Sequence, residues 1–240
     1  MSIYHLHIPR TAGIHIKNHV LPHLITGGVS HFVSNRTIIE PSVINKSLFV
    51  GGHFGTMPLD YMNNPEVFTI IRNPVDRFVS YFKYTTGLIR AGKESEEKLE
   101  SWLYGEQSEM QSNLQTKFLI GKTNIDQFNK HFNYFQHTID SGWYLEGIEG
   151  GPQKAIDNLQ NFYYYTLEDI SLFKEDLNKA LKNNFGFESF KHRSDPANRS
   201  PGLELNLTKS QISKIEDLNK MDMEVYEYVS KNKKRYQMVN

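Results

Sequence analysis

Two guanidinium groups, one imidazole and one hydroxyl stand where this chain could use them on an anion. Arg10 lies in HIPRTAGIH (7–15), which follows a short apolar run and opens an amphipathic stretch. That order reads as strand, tight glycine-containing turn, helix. A helix N-terminus offers unpaired backbone N–H groups and the positive end of its macrodipole, a natural seat for phosphate. Arg72 and Ser80 lie in a second such turn, IIRNPVDRFVSYFKY (70–84). The forked guanidinium of Arg72 suits phosphate. Ser80, on the following helix, returns to within about one turn of the same face as Asn73. His53 sits in GGHFG (51–55); an imidazole is mostly neutral at neutral pH and can accept a hydroxyl proton. Two complementary anion-binding turns suggest a nucleotide site.

The elements that must position these groups alternate along the chain. Ile3 to Ile8 reads as the first strand, and a helix is expected from Gly13 to Leu24, closed by Gly27-Gly28. Val29 to Val33 and Leu48 to His53 are short apolar runs bounded by turn residues, as buried strands are. Val67 to Ile71 is β-branched on both faces, which marks a central parallel strand covered by helices. Pro74 then suits the first position of a helix carrying Val75, Phe78, Val79 and Phe82 inward. From Lys93 to Asp140 the pattern is helical and polar, with a stripe at Ile125, Phe128, Phe132, Phe135 and Ile139. Phe162 to Thr166 reads as one more strand, followed by a helix with Leu172, Phe173, Leu177 and Leu181 inward. Thr208 with Gln211 forms a capping box that starts a last helix, with Ile212, Ile215, Leu218, Asp222, Val225 and Val229 on one stripe. The expected architecture is one α/β domain over 1–240, three layers around a central parallel sheet, with a helical insertion at about 93–140. In such sheets ligands bind outside the carboxyl ends of the strands. Arg10, His53 and Arg72 all fall there, unless each is only a surface or capping residue.

Bulk composition narrows the chemistry. The 240 residues suit one α/β domain with a sizeable core. Lys plus Arg equals Asp plus Glu at 27 each, so no overall field favours nucleic acid or an anionic membrane. Cysteine is absent, which excludes disulfides, cysteine-ligated zinc and thiol catalysis. No window approaches the roughly 20 apolar residues of a membrane span, and the N-terminal run has no basic n-region. A soluble, cytoplasmic protein is the expectation. Six histidines crowd the first 31 residues; His5 and His7 share a strand face, His15 and His19 a helix face. No carboxylate or cysteine accompanies them, so no metal is expected.

The first turn lacks the Walker pattern, and no acidic pair stands ready for magnesium. A nucleotide reaction that needs no metal is favoured over a P-loop kinase. Sulfuryl transfer fits, because the transferred group carries less charge than a terminal phosphoryl group.

HIPRTAGIH, GGHFG and IIRNPVDRFVSYFKY together resemble the PAPS-dependent carbohydrate sulfotransferase superfamily, the relatives of heparan sulfate 2-O-sulfotransferase. SNLQTKFLIG (112–121), YYYTLED (163–169) and LNKMDMEVYEY (218–228) continue the similarity in order. The resemblance implies a P-loop-NTPase-like sulfotransferase fold and 3′-phosphoadenosine 5′-phosphosulfate (PAPS) as co-substrate, without a metal. It places the 5′-phosphosulfate in the first loop, with backbone N–H groups of Thr11, Ala12 and Gly13 as donors. Arg10 stands where the family's lysine steadies the leaving oxygen. Arg72 and Ser80 match the pair that grips the 3′-phosphate, and His53 is the general base; apart from the resemblance, a capping or hydrogen-bonded structural histidine is the alternative. Two hydroxyl residues usually follow the loop glycine, whereas this chain has Ile14 and His15. Either His15 donates instead or the grip on the 5′-phosphate weakens, by on the order of 1 kcal/mol for each lost partner. Lys191 to Ser194 is either a closure over the nucleotide or acceptor, with Arg193 reaching the ligand, or a solvated turn. Arg77 is expected in a salt bridge with Asp222 or Glu168 under the site. The acceptor is a hydroxyl of a glycan or small molecule; an inactive nucleotide- or glycan-binding relative is the rival reading.

Overall fold

In the computed structural model the residues described are 2–13, 32–33, 40–86, 94–131, 142, 144–186 and 205–237. The helix expected over 13–24 lies outside them beyond Gly13, as do Ile14, His15 and the whole 191–201 loop with Arg193.

The two-faced apolar runs form a parallel sheet. β1 (Ile3–Leu6), β2 (Phe32–Val33), β3 (Phe49–Gly52), β4 (Glu66–Ile71) and β7 (Tyr163–Thr166) pair in the order β2-β3-β1-β4-β7, every pair parallel. A two-stranded antiparallel ribbon, β5 (Lys122–Thr123) with β6 (Leu145–Glu146), forms a second sheet, bridged to Gly55 just after β3. The described helices are α1 (Pro41–Lys46), α2 (Pro74–Thr85), α3 (Glu94–Leu103), α4 (Glu106–Met110), α5 (Leu114–Ile120), α6 (Ile125–His131), α7 (Gly151–Leu159), α8 (Ile170–Phe185), α9 (Lys209–Leu218) and α10 (Lys220–Lys231). None is long and apolar enough to cross a membrane.

Alternation along the strands splits the core between two faces. Tyr4, Leu6, Val50, Val67 and Tyr164 pack with Leu114, Phe118 and Leu119 of α5, Leu159 of α7, and Val225 and Val229 of α10. Ile3, Phe49, Phe68 and Tyr165 pack instead with Phe173, Leu177 and Leu181 of α8. Successive strand residues point to opposite faces, so these two clusters are the two sides of one sheet. The chain is a three-layer α/β/α fold. A third cluster joins Phe78 and Phe82 of α2 to Leu99 and Leu103 of α3 and Ile215 of α9.

One expected element divides. The apolar stripe from Ile212 to Val229 runs through a break at Asn219, whose φ of −117° and ψ of 30° leave the helical region. The cause is an exchange of caps between two helix starts. Asn113, with a left-handed φ of 48°, accepts the N–H groups of Met221 and Asp222 at the start of α10. Asp222 accepts the N–H groups of Gln115 and Thr116 at the start of α5. Asn219 completes the knot by accepting from Asn113 N–H and donating to the Ile215 carbonyl. The capping box of Thr208 and Gln211 at the start of α9 is present, with both of its bonds formed.

Candidate functional site

Because β3, β1 and β4 are neighbours in the sheet, the residues at their carboxyl ends meet. His53 follows β3, His7 and the 8–13 loop follow β1, and Arg72 follows β4. The His7 N–H extends the β1–β3 pairing by donating to the Gly52 carbonyl.

Loop 8–13 is shaped by its own backbone. Thr11 donates both its N–H and its hydroxyl to the Ile8 carbonyl, at 3.3 and 2.8 Å. Arg10 and Ala12 on either side have φ of 68° and 71°. Each non-glycine residue held in that region costs about 1–2 kcal/mol, a strain of the kind that concentrates at ligand clamps. Left-handed residues alternating along a turn draw backbone N–H groups into an anion-binding concavity. Thr11, expected as a backbone donor to the ligand, has its N–H on the Ile8 carbonyl here and so helps to build the turn.

Arg10, Arg72 and Ser80 come together. Arg10 donates from Nε and Nη2 to Ser80 Oγ at 3.1 and 3.0 Å, and its guanidinium carbon lies 4.7 Å from the centre of the Tyr84 ring. Arg72 donates from Nη1 to the Arg10 carbonyl at 3.2 Å. Burial lowers the Arg72 pKa from its ordinary value; Asp76 opposes that shift and Arg10 adds to it. Arg72 Nε is buried with no hydrogen-bond partner among the described residues. Asn73 caps α2 through the N–H groups of Val75 and Asp76, with Pro74 in the first turn. Gln115 holds the backbone of Arg72 by two bonds of 2.9 Å.

His53 is buried in an aromatic stack. Its ring lies 4.3 Å from that of His7, and His7 stacks on His5 at 5.4 Å. Phe118 meets His53 edge-on at 6.0 Å, and the Tyr144 hydroxyl donates to the His53 carbonyl at 2.6 Å. Burial, and then the proximity of His53, pushes the His5 pKa down to about 3. Burial first, then His53, His5 and Arg10, hold His7 well below the ordinary imidazole range. The inner two rings are thus neutral at neutral pH. A side chain on Gly13 would place its Cβ 1.6 Å from His7 Cε1, so the loop backbone rests directly on that ring. His7, weighed in the sequence only for metal binding, and Gln115 are the residues whose parts here were not expected. The H-x-H pattern and the nearby glycine were the signal for His7; for Gln115 there was none, since its role exists only through contact.

One further expectation changes. Arg77 is fully buried and bonds Gln111, through Nη1 to Oε1 and Nη2 to the carbonyl, rather than Asp222 or Glu168. Asp222 is occupied in capping α5. Gly55, at φ 57°, lets another backbone approach closely: the Gly121 oxygen would sit 2.1 Å from an added Cβ. Among the described residues no group of three or more histidine or acidic side chains could hold a metal ion.

A family model described as "Sulfotransferase family" matches residues 57–229, more than half of the chain. That span takes in Arg72, Ser80 and Gln115; Arg10 and His53 precede it. No curated protein matches the chain.

Proposed function

The chain belongs to the sulfotransferase family, and on that premise we propose that it moves a sulfuryl group from PAPS to a hydroxyl of a glycan or small molecule. The observation that carries this reading is the meeting of Arg10, Arg72 and Ser80 at the ends of adjacent parallel strands. Two guanidinium groups held this close repel each other, and a bound phosphate relieves the repulsion. The buried Nε of Arg72 and the left-handed turn at Arg10 and Ala12 fit the same kind of ligand.

When bound, PAPS supplies an activated sulfuryl group on a phosphate leaving group. Arg72 and Ser80 hold its 3′-phosphate, while Ala12 and Gly13 present N–H groups to the 5′-phosphosulfate. Ile14, His15 and Arg193 are proposed as further contacts. His53 takes the proton from the acceptor hydroxyl as that oxygen bonds to sulfur in line. Arg10 meets the charge that develops on the bridging oxygen as the sulfur–oxygen bond breaks and the electron pair departs with 3′,5′-ADP. Positioning and electrostatics supply most of the rate, as in phosphoryl transfer.

The test is calorimetry with 3′,5′-ADP. The wild type binds, and Arg72→Ala binds at least about tenfold more weakly, the scale of one lost charge-assisted contact. A wild-type protein that does not bind 3′,5′-ADP overturns the site.

A further inference from the structure

β4 runs out of strand partners just before Arg72. Its last pair with β1 is at Thr69, and its last with β7 is at Ile71. The backbone of Arg72 therefore lies beyond the ladder, and both of its polar groups need partners. One side chain answers both. Arg72 N–H donates to Gln115 Oε1 at 2.9 Å, and Gln115 Nε2 donates to the Arg72 carbonyl at 2.9 Å. A carboxamide carries the same donor and acceptor as a peptide group, so Gln115 stands in for one residue of a neighbouring strand. The side chain is fully buried, which keeps water from competing for either bond.

Gln115 is itself fixed. Its backbone N–H donates to Asp222 Oδ2 at 3.0 Å, and Thr116 donates its N–H and hydroxyl to Asp222 Oδ1 at 2.7 and 2.8 Å. A chain of bonds thus runs from α10 through the start of α5 to the backbone of Arg72. It sets the direction in which the Arg72 side chain leaves the sheet, with Nη1 on the Arg10 carbonyl and Nε buried and unpartnered among the described residues.

We infer that Gln115 is a positioning residue for Arg72, and that this amide clamp from the helical segment sets the site's preference for nucleotides with a 3′-phosphate. The inference rests on the assignment of Arg72 and Ser80 to that phosphate. Gln115 touches no ligand; it acts by holding Arg72 in the orientation phosphate requires.

The test compares 3′,5′-ADP with 5′-AMP, which lacks only the 3′-phosphate, in wild type and two variants. Gln115→Met keeps the length of the side chain and removes both bonds. Gln115→Glu keeps the shape and the acceptor for Arg72 N–H, but opposes an oxygen to the Arg72 carbonyl and a negative charge to the guanidinium. The wild type binds 3′,5′-ADP at least about tenfold more tightly than 5′-AMP. In Gln115→Met that preference falls below about threefold while 5′-AMP affinity stays within about twofold. A preference that survives, or affinities for both nucleotides that fall together, overturns the inference. Should Gln115→Met fail to fold, the same ratio in Gln115→Glu decides, with a retained preference again overturning it. A wild type that does not distinguish the two nucleotides removes instead the 3′-phosphate assignment beneath it.

Discussion

His5 and His7 are imidazoles held well below their ordinary pKa by burial, and they make stability depend on pH in a definite direction. Both are held neutral by burial, His5 with its pKa down at about 3. In the unfolded chain each takes up a proton near pH 6.5. Below that pH the unfolded state binds more protons than the native one, so stability is full above it and is lost as pH falls toward the folded value. Between about pH 7.5 and pH 5.5, His5 alone should cost about 1.4 kcal/mol of unfolding free energy. Urea denaturation at the two pH values checks this, with His5→Phe as the comparison. The variant should lose less stability than the wild type on acidification, and an equal loss would contradict the neutral burial of His5. At this scale the places of Arg10, His53 and Arg72 after neighbouring strands, and of Ser80 on the helix that follows Arg72, were legible from residue type and position. The part of Gln115 was not, because nothing in its type separates a core polar residue from one that holds the Arg72 backbone.

Elements were legible where periodicity or capping specifies them. The β-branched run at β4, Pro74 at the start of α2 and the Thr208–Gln211 box all have local causes. The break at Asn219 has a distant one, since Asn113 and Asp222 lie more than a hundred residues apart and exchange caps only in the folded chain. An unbroken apolar stripe cannot reveal it. The ribbon β5–β6 escaped for another reason: two strands of two residues each show no period. Asn219→Ala leaves the part-buried Asn113 N–H and the buried Ile215 carbonyl without their side-chain partner. It should cost about 1–3 kcal/mol in denaturant unfolding, and a cost below about 0.5 kcal/mol, typical of a surface change, would show that the knot does not hold the two helix starts.

Sheet order governs the whole molecule. Placing β1 between β3 and β4 brings three sequence-distant turns to the carboxyl end of the sheet; the alternation of strands and helices implied a parallel sheet with ligand groups at that end, but not this strand order. The edge strand β7 is covered by the C-terminal segment. Lys234 pairs with Tyr164, Tyr236 packs on Phe68 and Tyr163, and Arg235 grips the fully buried Asp176 through both carboxylate oxygens. Nothing in that polar, lysine-rich stretch announced the role, which depends on an open strand edge needing cover. Arg235→Ala should lower stability by about 1–3 kcal/mol, because Asp176 keeps Tyr165 and Lys179 as partners, and should leave 3′,5′-ADP affinity unchanged. A large loss of nucleotide affinity would show that this edge communicates with the site. The central claim, that the site performs sulfuryl transfer, is tested most directly by following labelled sulfate from PAPS onto a panel of glycans and hydroxylated small molecules, without added metal. The account predicts transfer by the wild type and none by His53→Ala. Nucleotide binding with no transfer to any acceptor, or undiminished transfer by His53→Ala, would contradict it.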